Sequence, residues 1–213
     1  MTTGFKLFTN PWDISKEQPT LWIKVDREFL EGGFTDDLLE QPGKILAGIA
    51  KERQRFVLLQ DIFNQYNSIS LSFLRLAITP MDDFDTGEYS DLDTPYSVEA
   101  ANERTIKISI TGTGTAGGFA QPISSEGKVI ACNISISPSS ASFGHTFWRV
   151  VNHEIGHCLG LAHNHGDTDS IMSYNSGGDQ ISIDDQMGII NQYPLEESYA
   201  KEALTLGGSC EPQ

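Results

Sequence analysis

Apolar positions recur along the chain with two different periods, and these sort it into strands and helices. Leu21 to Phe29 alternates apolar with polar residues, which predicts a first strand. Ser70 to Ile78, Thr105 to Thr111 and Val129 to Ser137 alternate in the same way, so a sheet of about four or five strands is expected. Through Lys44 to Tyr66 the period changes: Ile45, Ile49, Phe56, Leu59, Phe63 and Tyr66 fall at helical spacing. That stripe predicts a long amphipathic helix backing the sheet. Residues 1–20 carry Pro11 and Pro19 with little periodicity and read as an extended arm, while Gly112 to Gly118 reads as a flexible loop.

Composition narrows the class. The 213 residues include 38% hydrophobic and 20% charged side chains, ordinary for one globular domain long enough to bury its own core. The net charge of -15 argues against nucleic acid or an anionic membrane as partner, since both select clustered Lys and Arg. Much of the acidity lies between Thr79 and Pro95, where Asp82, Asp83, Asp85, Glu88, Asp91 and Asp93 surround Gly87. A solvated surface loop suits this run, with Ca2+ as its alternative occupant, because a hard cation takes oxygen ligands; the EF-hand spacing is absent. Cys132, Cys158 and Cys210 are too few for a disulfide framework and leave room for one disulfide and a free thiol. Core packing is the expected role of Cys158. Met1 to Thr20 lacks the apolar run of a signal peptide, and no stretch has the length of a membrane span.

All five histidines lie between positions 145 and 165. Three of them sit in His153-Glu154-Ile155-Gly156-His157-Cys158-Leu159-Gly160-Leu161-Ala162-His163. Phe143, Phe147, Val150, Val151, Ile155 and Leu159 form the buried stripe of a predicted helix and leave His153, Glu154 and His157 toward another side. Histidines at i and i+4 stand one above the other and can reach a single Zn2+, while Glu154 can sit beside a metal-bound water without ligating. Gly160 can take a left-handed conformation, end the helix and return the chain so that His163 becomes the third ligand. Three neutral nitrogens with one open position describe a catalytic zinc site rather than a closed structural one. His165 is the competing third ligand.

This stretch resembles the extended zinc-binding motif of the metzincin metalloendopeptidases. Ser170-Ile171-Met172-Ser173-Tyr174 resembles their Met-turn, in which the methionine lies beneath the metal and the tyrosine approaches it. Ile181 to Pro194 resembles the C-terminal helix of matrixin-like domains, and its Ser182-x-x-Asp185 independently signals a helix start. The resemblance implies an α+β fold: a twisted mixed β-sheet, a long backing helix, an active-site helix and a small C-terminal lobe ending in a helix. It implies a single catalytic domain over 21–213, with an upper lobe (21–163) and a lower lobe (164–213), preceded by the arm at 1–20, for which a short pro-segment is the alternative. Asn164 follows the third histidine where matrixins, serralysins, astacins and adamalysins each place a different residue, so the subfamily stays open. With no histidine before residue 140, a matrixin-like structural zinc is not expected.

The implied function is zinc-dependent hydrolysis of peptide bonds in protein or peptide substrates, by a monomer acting outside the cell. Glu154 would be the general base and Tyr174 would hydrogen-bond the oxyanion. A substrate would add as a strand to a sheet edge, for which Ala131 to Ser137 is the candidate, and Met172 to Ile181 would form the specificity wall. Asp13 reads as a turn or cap residue, with occupation of the open metal position as its second reading. Two rival functions remain: a zinc-binding module that recognises a partner without cutting it, and a hydrolase of a non-peptide amide.

Overall fold

The computed structural model describes residue 7 and residues 10–25, 59–79, 104–110, 117–137, 145–166, 168–174 and 180–195. Its elements run β1 (Thr20–Val25), a helix α1 described over 59–67, β2 (Arg75–Thr79), β3 (Thr105–Ile110), β4 (Gly118–Ser125), β5 (Lys128–Ile136), α2 (His145–Cys158) and α3 (Ile183–Gln192). This is the α+β arrangement expected from the sequence. No helix among the described residues is long and apolar enough to cross a membrane. The acidic run 82–93, the first part of the backing helix, Phe143 and the side chain of Phe147 lie outside the described residues.

Five strands pair in the order β2-β1-β3-β5-β4. The first three contacts are parallel, and β4 closes the sheet antiparallel to β5. Alternation does the sorting: Leu21, Ile23 and Val25 of β1, Ile106 and Ile108 of β3, and Ile134 and Ile136 of β5 turn inward. They meet Leu59, Ile62, Phe63 and Tyr66 of α1 and Val151, Ile155 and Cys158 of α2 in one core. The helices are tied together by Tyr66, whose hydroxyl donates to the Asn152 carbonyl at 3.1 Å.

Three differences from the sequence expectation have physical causes. The strand expected from Ser70 begins only at Arg75, because residues 71–73 pair with the C-terminal segment instead: Leu195 N donates to Leu71 O and Phe73 N to Tyr193 O. Ala131 to Ser137 is not a sheet edge, since β5 lies between β3 and β4. Among the described residues the edge on that side is β4, which the sequence hides because its apolar side chains Phe119 and Ile123 face outward while those of Ala120 and Pro122, with Gly118, lie on the helix side. Lastly, Cys158 is not merely packed but bonded to Cys132, joining the end of α2 to the middle of β5. A register shift between Ile123 and Ser124 supplies the phase change that lets both Val129 and Cys132 face inward.

A two-residue loop, Glu126-Gly127, joins β4 to β5, and both residues have positive φ, 50° and 77°. Those signs are those of a type I′ turn, whose twist matches the hairpin. A Cβ at Gly127 would meet nothing within 4 Å, so only its backbone conformation demands glycine. Gly127→Ala should therefore lower unfolding stability by about 1 kcal/mol in urea titration, with Gly127→Asn recovering most of the loss.

Candidate active site

The site is built at the end of α2. Past Cys158 the helix closes with Gly160 N donating to His157 O and Leu161 N to Gly156 O, and Gly160 has φ of 99°. These paired bonds form a Schellman motif, which needs a left-handed residue at the position glycine occupies. The helix stops within one turn of His157, and the chain reverses to bring His163 back. The last carbonyls of the helix are buried but capped: Trp12 Nε1 donates to Cys158 O at 2.7 Å and Tyr193 OH to Leu159 O at 3.0 Å.

Three imidazoles converge on one point. His153 Nδ1 lies 2.8 Å from Ile171 O, and His157 Nδ1 lies 2.8 Å from Leu161 O. A carbonyl only accepts, so each Nδ1 carries the proton and each Nε2 presents a lone pair. His163 Nε2 stands 3.2 Å from His153 Nε2 and 3.0 Å from His157 Nε2. One nitrogen can donate at most one proton, so at least one lone pair in this cluster faces another. A cation resolves that conflict. Tetrahedral ligands at about 2.0–2.1 Å from zinc would stand about 3.3 Å from each other, close to the spacing found here. Among the described residues these three histidines form the group that could hold a metal ion. His165 lies outside it, stacked on His163 with ring centroids 5.3 Å apart.

Electrostatics agree with this donor set. Burial pushes the His153 and His157 pKa values down to about 4, and burial with the neighbouring His165 lowers that of His163. All three are therefore neutral at pH 7, the form in which imidazole binds a metal. Glu154 is only 6% exposed, and burial raises its pKa to about 7, offset in part by a hydrogen bond from the Ala120 backbone.

That bond fixes the relation of β4 to the helix. Ser137 N donates to Gly117 O, so by strand alternation the backbones of Phe119 and Gln121 face β5, and those of Gly118, Ala120 and Pro122 face the open edge. A Cβ at Gly118 would stand 2.8 Å from Glu154 Oε1 and 2.7 Å from Val150 Cγ1. Glycine there is what allows α2 and Glu154 so close to the strand.

Beneath the histidines runs the turn 170–173. Ile171 O holds His153, Met172 O accepts from Asn164 N beside His163, and Arg149 Nη2 reaches Ser173 O at 2.7 Å. Met172 is buried with its sulfur where a Cβ of Gly156 would be, 2.5 Å away. Tyr174 is 65% exposed, its ring centroid 4.5 Å from that of His163 and 5.7 Å from that of His153. The sequence-expected His153, His157, His163 and Tyr174 are thus brought together, with Glu154 next to His153 on α2 and facing β4.

A family model described as Matrixin matches residues 59–194, a span holding α1, β2 to β5, both later helices and all three histidines. The chain belongs to the matrixin family. No curated protein sequence matches it. Among solved structures it is similar to the crystal structure of metalloproteinase-II from Bacteroides fragilis, with a TM-score of 0.41 and 14% identity, over 91% of this chain and 59% of that one. The chain spans about three-fifths of the length of that structure.

One important residue of this matrixin was visible in the sequence only as a helix signal. Asp185 does close the capping box of α3 with Ser182, but its carboxylate also accepts from Ser170 Oγ at 2.6 Å and Ile171 N at 2.8 Å. The start of α3 thereby holds the turn whose carbonyl holds His153. Gly118 and Trp12 left no such signal, since neither belongs to the motif.

The raised pKa of Glu154 has a signed consequence in the metal-free protein. Above pH 7 the carboxylate is ionised both folded and unfolded, and its burial costs stability; below about 4.5 it is protonated in both states and the cost vanishes. Glu154→Gln should stabilise the metal-free chain by about 3 kcal/mol at pH 8, with the advantage shrinking as pH falls through 7 toward 4.5, read as the difference in Tm from wild type.

Proposed function

We propose that this chain is a zinc-dependent endopeptidase, with His153, His157 and His163 as zinc ligands, Glu154 as general base and Tyr174 as oxyanion donor. The observation that carries the reading is the convergence of three neutral Nε2 atoms, with the buried carboxyl of the residue that follows His153 on α2 raised in pKa to about 7. Zinc bound there supplies a Lewis acid, which polarises a carbonyl and lowers the pKa of water toward about 7. The protein does the rest. Glu154 takes the proton from the attacking water and passes it to the leaving amine, a task for which a pKa near the working pH is best matched. Its bond to Ala120 N fixes which way the carboxyl faces. Tyr174, exposed and against the His163 ring, can turn its hydroxyl toward the developing oxyanion.

A substrate peptide pairs with the edge of β4, where the backbones of Gly118 and Pro122 and the carbonyl of Ala120 face outward, and not with β5 as the sequence suggests. Cys132–Cys158 supports action in an oxidising, extracytoplasmic compartment. We take the enzyme to act there as a monomer on protein substrates.

Pro122 offers an acceptor but no donor on that edge, so Pro122→Ala should lower KM about fivefold for peptides long enough to reach it, with kcat and the KM of short peptides unchanged. The activity itself is tested with an unbiased peptide library and product masses. Wild type should cleave, while Glu154→Ala and chelated wild type should be slower by about three orders of magnitude or more. No cleavage by zinc-loaded wild type would favour a binding module or a non-peptide hydrolase.

A further inference from the structure

The N-terminal arm meets the site at the one place where α2 ends. Val129 N donates to Pro11 O at 3.1 Å and Asp13 N donates to Val129 O at 2.9 Å, so the backbone on both sides of Trp12 is registered on the start of β5. Trp12, 1% exposed, is thereby held inward, and its indole N–H meets the Cys158 carbonyl at 2.7 Å. Cys158 in turn is bonded to Cys132, three residues along β5 from Val129. Arm, strand and helix end form a closed ring of connections. Further up the arm, Leu7 forms an antiparallel bridge with Leu161, the residue whose carbonyl orients His157 Nδ1.

We infer that the arm is a clamp on the end of the active-site helix, and that Trp12 is a positioning residue for His157. The inference rests on the zinc reading above for its consequence, though not for its geometry. A buried terminal carbonyl needs a donor, and removing the indole leaves Cys158 O without it. The helix end then relieves the deficit by shifting toward water. Gly160, Leu161 and the Leu161 carbonyl that orients His157 follow directly in the chain, so the ring of His157 moves with them. The side chain of Asp13 takes no part: it is exposed and stands outside the histidine group. The clamp therefore has a sign opposite to that of an inhibitory segment.

The test uses the full-length zinc-loaded chain with three variants. Trp12→Phe keeps a ring and drops the donor; Asp13→Asn keeps the backbone bond and drops the carboxylate; Leu76→Val, in the strand at the far edge of the sheet, is a core control of comparable destabilisation. Zinc release to an excess of chromogenic chelator should be about tenfold faster for Trp12→Phe than for Leu76→Val, with kcat reduced. Asp13→Asn should match wild type in both. Equal release from Trp12→Phe and Leu76→Val would overturn the clamp, as would a rise in activity for Trp12→Phe or for Asp13→Asn. Should wild type take up no zinc, the metal reading fails by itself, and the clamp is then read from the imidazole NMR resonances of His157 in the metal-free chain. Trp12→Phe should move them and Leu76→Val should not; the same response to both would overturn it.

Discussion

The left-handed turn at Gly160 is the constraint on which the rest of the site depends. Two histidines on adjacent turns of one helix can share a metal, but a third from the same helix would be carried away along its axis. The chain has to stop and reverse within a few residues of His157. With φ of 99° at residue 160, a side chain would be strained there, and the helix would run on and lose His163. Stopping a helix inside a protein leaves carbonyls without partners, and these are answered from distant parts of the chain, by Trp12 from the arm and Tyr193 from the end of α3. The arm and the C-terminal segment therefore support the turn that brings His163 back to His153 and His157.

Orientation follows the same logic. The imidazoles of His153 and His157 are each fixed by a carbonyl on Nδ1, and both carbonyls lie in segments shaped by other bonds. Leu161 O belongs to the Schellman turn. Ile171 O belongs to the turn 170–173, held by Asp185 through Ser170 and Ile171 and by Arg149 through Ser173. A chain of hydrogen bonds thus runs from the first turn of α3 to His153 of α2. Outer partners of this kind fix the tautomer and aim of metal-binding histidines.

Most of the chemistry was legible in the sequence because it is local. The spacing from His153 to His163, the glycine between them and the Ser182-x-x-Asp185 signal each describe one turn of chain, and each takes the expected form. β1, β3 and β5 were legible too, since one face of each strand is apolar. What stayed hidden is what depends on tertiary contact. β4 carries its large apolar residues outward and small ones inward, so its pattern lacks a buried strand's signature and the sequence points to its neighbour as the edge. The Cys132–Cys158 bond joins residues that only the sheet and helix bring together. Trp12 sits between prolines in a segment without periodicity, and nothing in that segment reveals a buried indole.

The edge strand answers two demands at once, and its register must satisfy both. Toward α2 it has to be small, because Glu154 Oε1 and Val150 already occupy the space a Cβ of Gly118 would need. Toward the open side, on the function proposed above, the backbones of Gly118 and Pro122 have to stay turned away from β5 for a peptide. Side-chain and backbone directions alternate together along a strand, so a slip of one residue would fail both demands. Phe119, now 57% exposed, would be driven at Glu154, and the free carbonyls would turn toward β5. The register is set by the Glu126-Gly127 hairpin at one end and by the pairing of Gly117 with Ser137 at the other. A turn with two positive φ angles, well removed from the histidines in sequence, thus helps decide where the Glu154 carboxyl stands relative to the edge of β4.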